Sequence, residues 1–230
     1  MRPERLLLAL LVLLLAIPGH VAAEETAAVH ILKVAAPIGP GVAGFVADAL
    51  DPADREKAAC IVIQLDTPGG LAESMRQIVT KILATRTPVI VFVAPSGARA
   101  ASAGVMITMA ADIAAMAPGT NIGAAHPVGA GGKDIDKTMS EKVVNDMVAQ
   151  ARSVAQQRGR NADWVEEAIR DSVSITETEA LRENVIDLVA DDLDALLTLL
   201  DGRKVKGKGA LTLKDAPRKM VVEGLGTKIL

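Results

Sequence analysis

Residues 60–83 read CIVIQLDTPGGLAESMRQIVTKIL: an unbroken apolar run, a turn with paired glycines, then a segment whose apolar residues recur at helical spacing. An apolar strand feeding an amphipathic helix is the unit of a parallel sheet, because a parallel neighbour is reached only through a crossover. The pattern recurs on both sides. HILKVA (30–35) precedes the helically spaced GVAGFVADAL (41–50), and PVIVFV (88–93) precedes AGVMITMAA (103–111), which can form a short helix. The chain is therefore predicted to be α/β, a mainly parallel sheet covered by helices. In such sheets ligands collect beyond the carboxyl ends of the strands. Two unusual loops fall on that edge: DTPGG (66–70) after the second strand and SGARAASAG (96–104) after the third.

Both loops suit acyl transfer. A serine that attacks a carbonyl needs room around it, and Ser102 lies in a run of tiny side chains. Paired glycines let backbone N–H groups approach a developing oxyanion, so Gly69 and Gly70 are the first candidates for that role. A helix beginning after Ser102 would add its unpaired first-turn amides, those of Ala103 and Gly104, and the positive end of its dipole.

Half of the 230 residues are apolar, enough for one well-buried core. The sequence holds two phenylalanines, Phe45 and Phe92, and one tryptophan, Trp164, so the core is built of aliphatic side chains and stacking on nucleic-acid bases is disfavoured. The formal charge of −3 and the lack of a basic stripe point the same way, away from nucleic acid. Residues 1–23 run from Arg2 and Arg5 through LLLALLVLLLAI to VAA, the layout of a secretory signal, with cleavage expected after Ala23 and an uncleaved anchor as the second choice because the apolar stretch is shorter than a bilayer span. That places the mature chain outside the cytoplasm, periplasmic or extracytoplasmic. Cys60 is the only cysteine, so no internal disulfide forms, and its apolar strand setting gives it a packing role.

Further along, DIAAMA (112–117) reads as a strand and PGTNIGAAHPVGAGG (118–132) as a Gly-rich loop. A long helix follows from about Met139 to Gln157, with Met139, Val143, Met147, Ala151 and Val154 as its apolar stripe. Gly159 closes it, Asn161 caps NADWVEEAI, and Thr176 with Glu179 forms a capping pattern. VIDLVA (185–190) reads as a strand and DLDALLTLL (192–200) as a helix. The expected organisation is a signal at 1–23, a catalytic domain at 24–200 and a basic C-terminal extension at 201–230, a small β appendage or a partly disordered tail.

DTPGG, AASAG, AMAPGTNIGAAHPVG, GRNADW and TETEALRENVIDLV, in this order, resemble the NfeD family of ClpP-like, membrane-associated serine peptidases. The resemblance implies the ClpP/crotonase spiral of repeated β-β-α units and a Ser-Lys dyad. Ser102 matches the nucleophile and Lys142, in KVVND, the general base. It also implies a hydrophobic polypeptide substrate, the apolar segment of a stomatin/prohibitin-type membrane protein. No cofactor or metal is called for, and self-association is left open.

Each assignment has a plainer counterpart. Small residues around a buried serine also serve close packing, and Gly69 and Gly70 also terminate a strand. Lys142 precedes Asp146 by four residues, the spacing of an exposed helical ion pair. As a base it must be neutral at working pH, which needs a fall of roughly 3 units through desolvation in an apolar pocket. The competing base is His126, in AAHPVG, which resembles the ClpP histidine. Its third partner would be Asp171, although Ser172 is the residue in register with the motif. His30 is expected to be structural. A non-catalytic scaffold of a membrane assembly is the alternative from another class, and a crotonase-like acyl-CoA enzyme is disfavoured because CoA esters are cytoplasmic.

Overall fold

The computed structural model describes residues 27–129 and 136–222; the signal expected at 1–23 lies outside them. In chain order the elements are β1 (Val29–Ala35), α1 (Pro40–Glu56), β2 (Cys60–Asp66), α2 (Ala72–Ala84), β3 (Val89–Val93), β4 (Arg99–Ala101), α3 (Ala103–Ala110), β5 (Ile113–Met116) and β6 (Asn121–Gly123). After these come α4 (Lys137–Arg158), α5 (Ala162–Arg170), β7 (Ser174–Thr176), α6 (Glu177–Arg182), β8 (Leu188–Val189), α7 (Leu193–Leu200), β9 (Lys204–Val205), β10 (Gly209–Ala210) and β11 (Arg218–Val221).

A six-stranded sheet in the order β11-β1-β2-β3-β5-β8 forms the centre, and every recorded pairing in it is parallel. Its middle strands are apolar on both faces because both faces are covered. Ile61, Ile63, Leu65, Val89 and Val91 pack with the helices of one side. Cys60, Val62, Ile90 and Phe92 pack against α7 and the later chain on the other. Burial pushes the Cys60 thiol up to about 12, so it stays a protonated apolar side chain. Each fully buried Val, Ile or Phe contributes about 1.5–3 kcal/mol, an upper bound against an extended unfolded chain.

A second sheet, β4-β6-β7, has three strands of three residues each. The chain therefore runs from a long central strand to a short second-sheet strand to a helix: β3-β4-α3, then β5-β6-α4. The first turn of the spiral is similar, since Thr67, just after β2, bridges Ala100 of β4 in parallel. These are the β-β-α units that the family resemblance implies.

Several boundaries differ from expectation. α1 extends to Glu56 through Pro52, and the strand expected at 185–190 shrinks to Leu188–Val189. The stripe expected on α4 holds in its second half, where Ala151 and Val154 are buried and Met147 packs on the core, but not at its start, where Met139 and Val143 are exposed and Val144 and Val148 are buried in their place. Residues 201–222, expected as an extension, belong to the fold: Leu211 and Leu213 enter the second core and β11 pairs with β1.

Candidate active site

The sheet brings Ser102, Gly69, Gly70 and Ala103 together. Ser102 sits between β4 and α3 with φ 53° and ψ −110°, a left-handed conformation that is strained for any residue with a Cβ. A sharp strand-to-helix turn of this kind presents a side chain outward, and Ser102 is partly exposed whereas all of α3 behind it is buried. Its hydroxyl does not cap the helix, and its N–H donates to the carbonyl of Gly123 at 3.0 Å.

The glycines are required by contact. A Cβ on Gly69, where φ is +113°, would lie 2.7 Å from the Ser102 Cβ and 3.2 Å from its Oγ. A Cβ on Gly70 would lie 2.2 Å from the Ile38 carbonyl oxygen, and one on Gly104 2.8 Å from the Thr67 methyl. Ile38 donates to Gly69 O and accepts from Leu71 N, each at 2.8 Å, so the N–H of Gly70 between them points to the opposite side. Gly69 N–H is already occupied, donating to Thr67 Oγ1 at 3.1 Å. The amides open to an incoming oxygen are thus Gly70 and, at the first turn of α3, Ala103. Thr67 and Gly123 escaped the sequence reading. The signal for Gly123 was its place in a Gly-rich loop, where a Cβ would strike the Val173 carbonyl at 2.2 Å.

Two arginines fix the far end of α3. Arg160, buried, donates to the carbonyls of Met109 and Ala111, and Arg158 to that of Ala110, at 2.8–3.0 Å. Guanidinium groups at a helix carboxyl end satisfy the last carbonyls and complement the dipole. Burial lowers the Arg160 pKa, while Asp187, 2.6 Å away, favours its charged form. Arg158 closes α4, so the helix carrying Lys142 is tied to the helix that begins behind Ser102.

Lys142 itself is exposed, and among the described residues no apolar pocket encloses it. The helical pair with Asp146 is not made either; Asp146 pairs with Arg76 of α2 at 3.3 Å. His126 is partly buried, and its Nδ1 lies 2.9 Å from the carbonyl oxygen of Ile169. A carbonyl only accepts, so Nδ1 is the donor in this bond and Nε2 is the ring nitrogen left to another partner. Asp171 is exposed, and it is the Ile169 carbonyl oxygen, not Asp171, that His126 Nδ1 meets. Leu71, Val128, Met139 and Val143, next to the site in the chain, are all exposed apolar side chains.

A family profile described as the NfeD1b N-terminal domain matches residues 28–197. The membrane-bound protease PH1510 of Pyrococcus horikoshii is 43% identical over 157 residues, 67% of this chain and 35% of that protein. The membrane protein NfeD1b of Bacillus subtilis is 28% identical over 170 residues, 74% of this chain and 37% of that one. The match thus spans about a third of each curated relative. Among solved structures, a stomatin-specific membrane-bound protease termed 1510-N is similar in two mutant forms. The serine-to-alanine form has a TM-score of 0.79 at 34% identity and covers 86% of this chain and 99% of that one. The lysine-to-alanine form, in complex with a substrate peptide, has a TM-score of 0.80 at 33% identity and covers 89% and 96%. ClpP1 of Listeria monocytogenes, at 19% identity, TM-score 0.59 and coverage of 72% and 94%, shares the fold.

Proposed function

The chain belongs to the NfeD1b N-terminal domain family and has a ClpP-like fold, and from that premise we propose that it is a serine endopeptidase acting through Ser102 and Lys142. The observation that carries the reading is Ser102, held in a strained left-handed turn against Gly69, with its hydroxyl uncommitted and the amides of Gly70 and Ala103 open among the described residues.

In the reaction, Lys142 Nζ takes the Ser102 Oγ proton as Oγ attacks the peptide carbonyl, and the amides of Gly70 and Ala103 hold the oxyanion. The proton passes to the leaving amine, and the peptide C–N bond breaks. Water, giving its proton to the same base, then releases the acyl group and restores Ser102. Lys142 is exposed on the free chain, so it needs a cover. An apolar peptide lying along Leu71, Val128, Met139 and Val143 supplies one, and burial disfavours the charged amine. The substrate is accordingly a hydrophobic segment, and the stomatin specificity of the 1510-N protease suggests a stomatin-like membrane protein. The domain works outside the cytoplasm at a membrane surface after removal of residues 1–23. No helix among the described residues is long and apolar enough to cross a membrane.

Cleavage of an apolar fluorogenic peptide is expected to vanish in Ser102→Ala and Lys142→Ala and to survive in His126→Ala. Residual turnover near wild type in Ser102→Ala rejects the nucleophile. The second reading, His126 as base, has the bond to Ile169 O in its favour. Loss of activity in His126→Ala with Lys142→Ala active would establish it.

A further inference from the structure

Thr67 touches the glycine turn, the strand that delivers Ser102 and the start of α3, yet has no role in the reaction as proposed. It is completely buried, although it lies in a turn on the ligand edge of the sheet. Its Oγ1 donates to the carbonyl of Gly69 at 3.2 Å and accepts from the N–H of the same residue at 3.1 Å. One hydroxyl has one donor and two lone pairs, so both bonds can be made together. Its backbone is equally committed: its N–H donates to Arg99 O at 2.8 Å, and its carbonyl accepts from Ala101 N–H at 3.1 Å. Those two residues begin and end β4, the strand that delivers Ser102. Its methyl group faces Gly104 in the first turn of α3, where a Cβ would come within 2.8 Å of it.

We propose that Thr67 is a positioning residue: by bonding both polar groups of the Gly69 main chain, its hydroxyl sets the Gly69–Gly70 turn at a fixed distance from Ser102 and leaves the Gly70 amide as the oxyanion donor. The proposal rests on the serine-peptidase reading. Without the hydroxyl, the Gly69 N–H loses its acceptor and the turn relaxes toward whatever acceptor is near, including water. An oxyanion donor acts only at about 2.7–3.1 Å from the developing charge, so a small displacement weakens the transition state far more than the bound substrate.

A structural filler and a positioning residue respond differently to substitution. Valine keeps the buried shape and removes the hydroxyl; serine keeps the hydroxyl and removes the methyl. On an apolar fluorogenic peptide, kcat of Thr67→Val is expected to fall by about 10- to 100-fold with KM within about twofold of wild type. Thr67→Ser is expected to retain at least about a third of wild-type kcat. Thermal melts taken alongside report whether each variant is folded, and Thr67→Ala replaces valine if the latter fails to fold. Wild-type kcat in the hydroxyl-free variant overturns the proposal, and so does a serine variant as slow as valine. A wild type no faster than Ser102→Ala is a different failure: it removes the peptidase reading, and the positioning role with it.

Discussion

Ser102 and Gly69 form a pair in which each constrains the other. Ser102 occupies a left-handed conformation that a glycine would adopt without strain, and a Cβ on Gly69 would meet its Cβ at 2.7 Å. Strain of this kind costs of order 1–3 kcal/mol and persists only where surrounding contacts enforce it. Ser102→Gly is therefore expected to raise unfolding stability by about 1 kcal/mol while abolishing cleavage. Gly69→Ala is expected to lose both activity and stability, the latter by roughly 1–3 kcal/mol. In the double variant the Cβ–Cβ clash is gone, so its stability loss should be smaller than the sum of the two single effects. Denaturant melts of the four proteins measure this coupling. Strict additivity would show that the φ of Gly69, not its contact with Ser102, is what demands glycine.

At the scale of elements, the two arginines that bind the end of α3 continue into a buried ionic joint. Asp112, between α3 and β5, has a side chain only 1% exposed and receives Arg158 and Lys208, each at 2.6 Å. Its Oδ2 also accepts the Val89 N–H at 2.8 Å. One carboxylate thus joins the end of α4, the start of β3 and the β9–β10 hairpin. Removing it leaves two largely buried cations without a counter-charge, so Asp112→Ala is expected to destabilise by about 3–5 kcal/mol. Adding Lys208→Met should restore part of this loss in chemical melts; a double variant no more stable than Asp112→Ala would refute the joint. The cause of such a role was hidden in the sequence, where Asp112 read only as the first residue of DIAAMA. The long elements were legible because burial on both faces of β2 and β3 leaves a continuous apolar run. The three-residue strands β4, β6 and β7 were not, since so short a segment carries no period. β11 was invisible for another reason: an edge strand is paired on one side only, and RKMV keeps three exposed side chains. The candidate site was legible where tiny residues are demanded by contact, at Gly69 and Gly70, with Ser102 beside them. The surroundings of Lys142 were not, because helical phase alone put Met139 and Val143 on the buried side.

For the whole molecule, the sheet edge where β11 meets β1 has a built-in dependence on pH. His30 of β1 is 1% exposed, and among the described residues neither ring nitrogen makes a well-aligned hydrogen bond. Its charged neighbours come from α1 and β11, while β2 places the apolar Ile61 in register on the other side. β1 carries the ring, α1 brings Glu56 to 3.3 Å from Nε2, and β11 places Lys219 in register with His30, where the ammonium pairs with Glu56 at 2.7 Å. Burial lowers the His30 pKa below the ordinary 6.5, and Lys219 adds to this, while Glu56 pulls the other way without prevailing. A depressed folded pKa means that the unfolded chain takes up the proton first as the pH falls. His30 therefore withdraws stability progressively below about pH 6.5, and the loss saturates once the pH is under its lower folded value. Above that window the ring is neutral in both states and contributes no slope. The depressed carboxylates, including Glu56 beside Lys219, lose their contribution only under their own unfolded values near 4.5, so between there and pH 6.5 the His30 effect acts without them. Replacing His30 with Leu keeps an apolar side chain in the first core beside Leu32 and removes the titration. Urea midpoints at pH 7.5 and 5.5 should then fall less in His30→Leu than in wild type, whereas equal falls would mean that the buried ring takes up its proton in the folded protein without penalty.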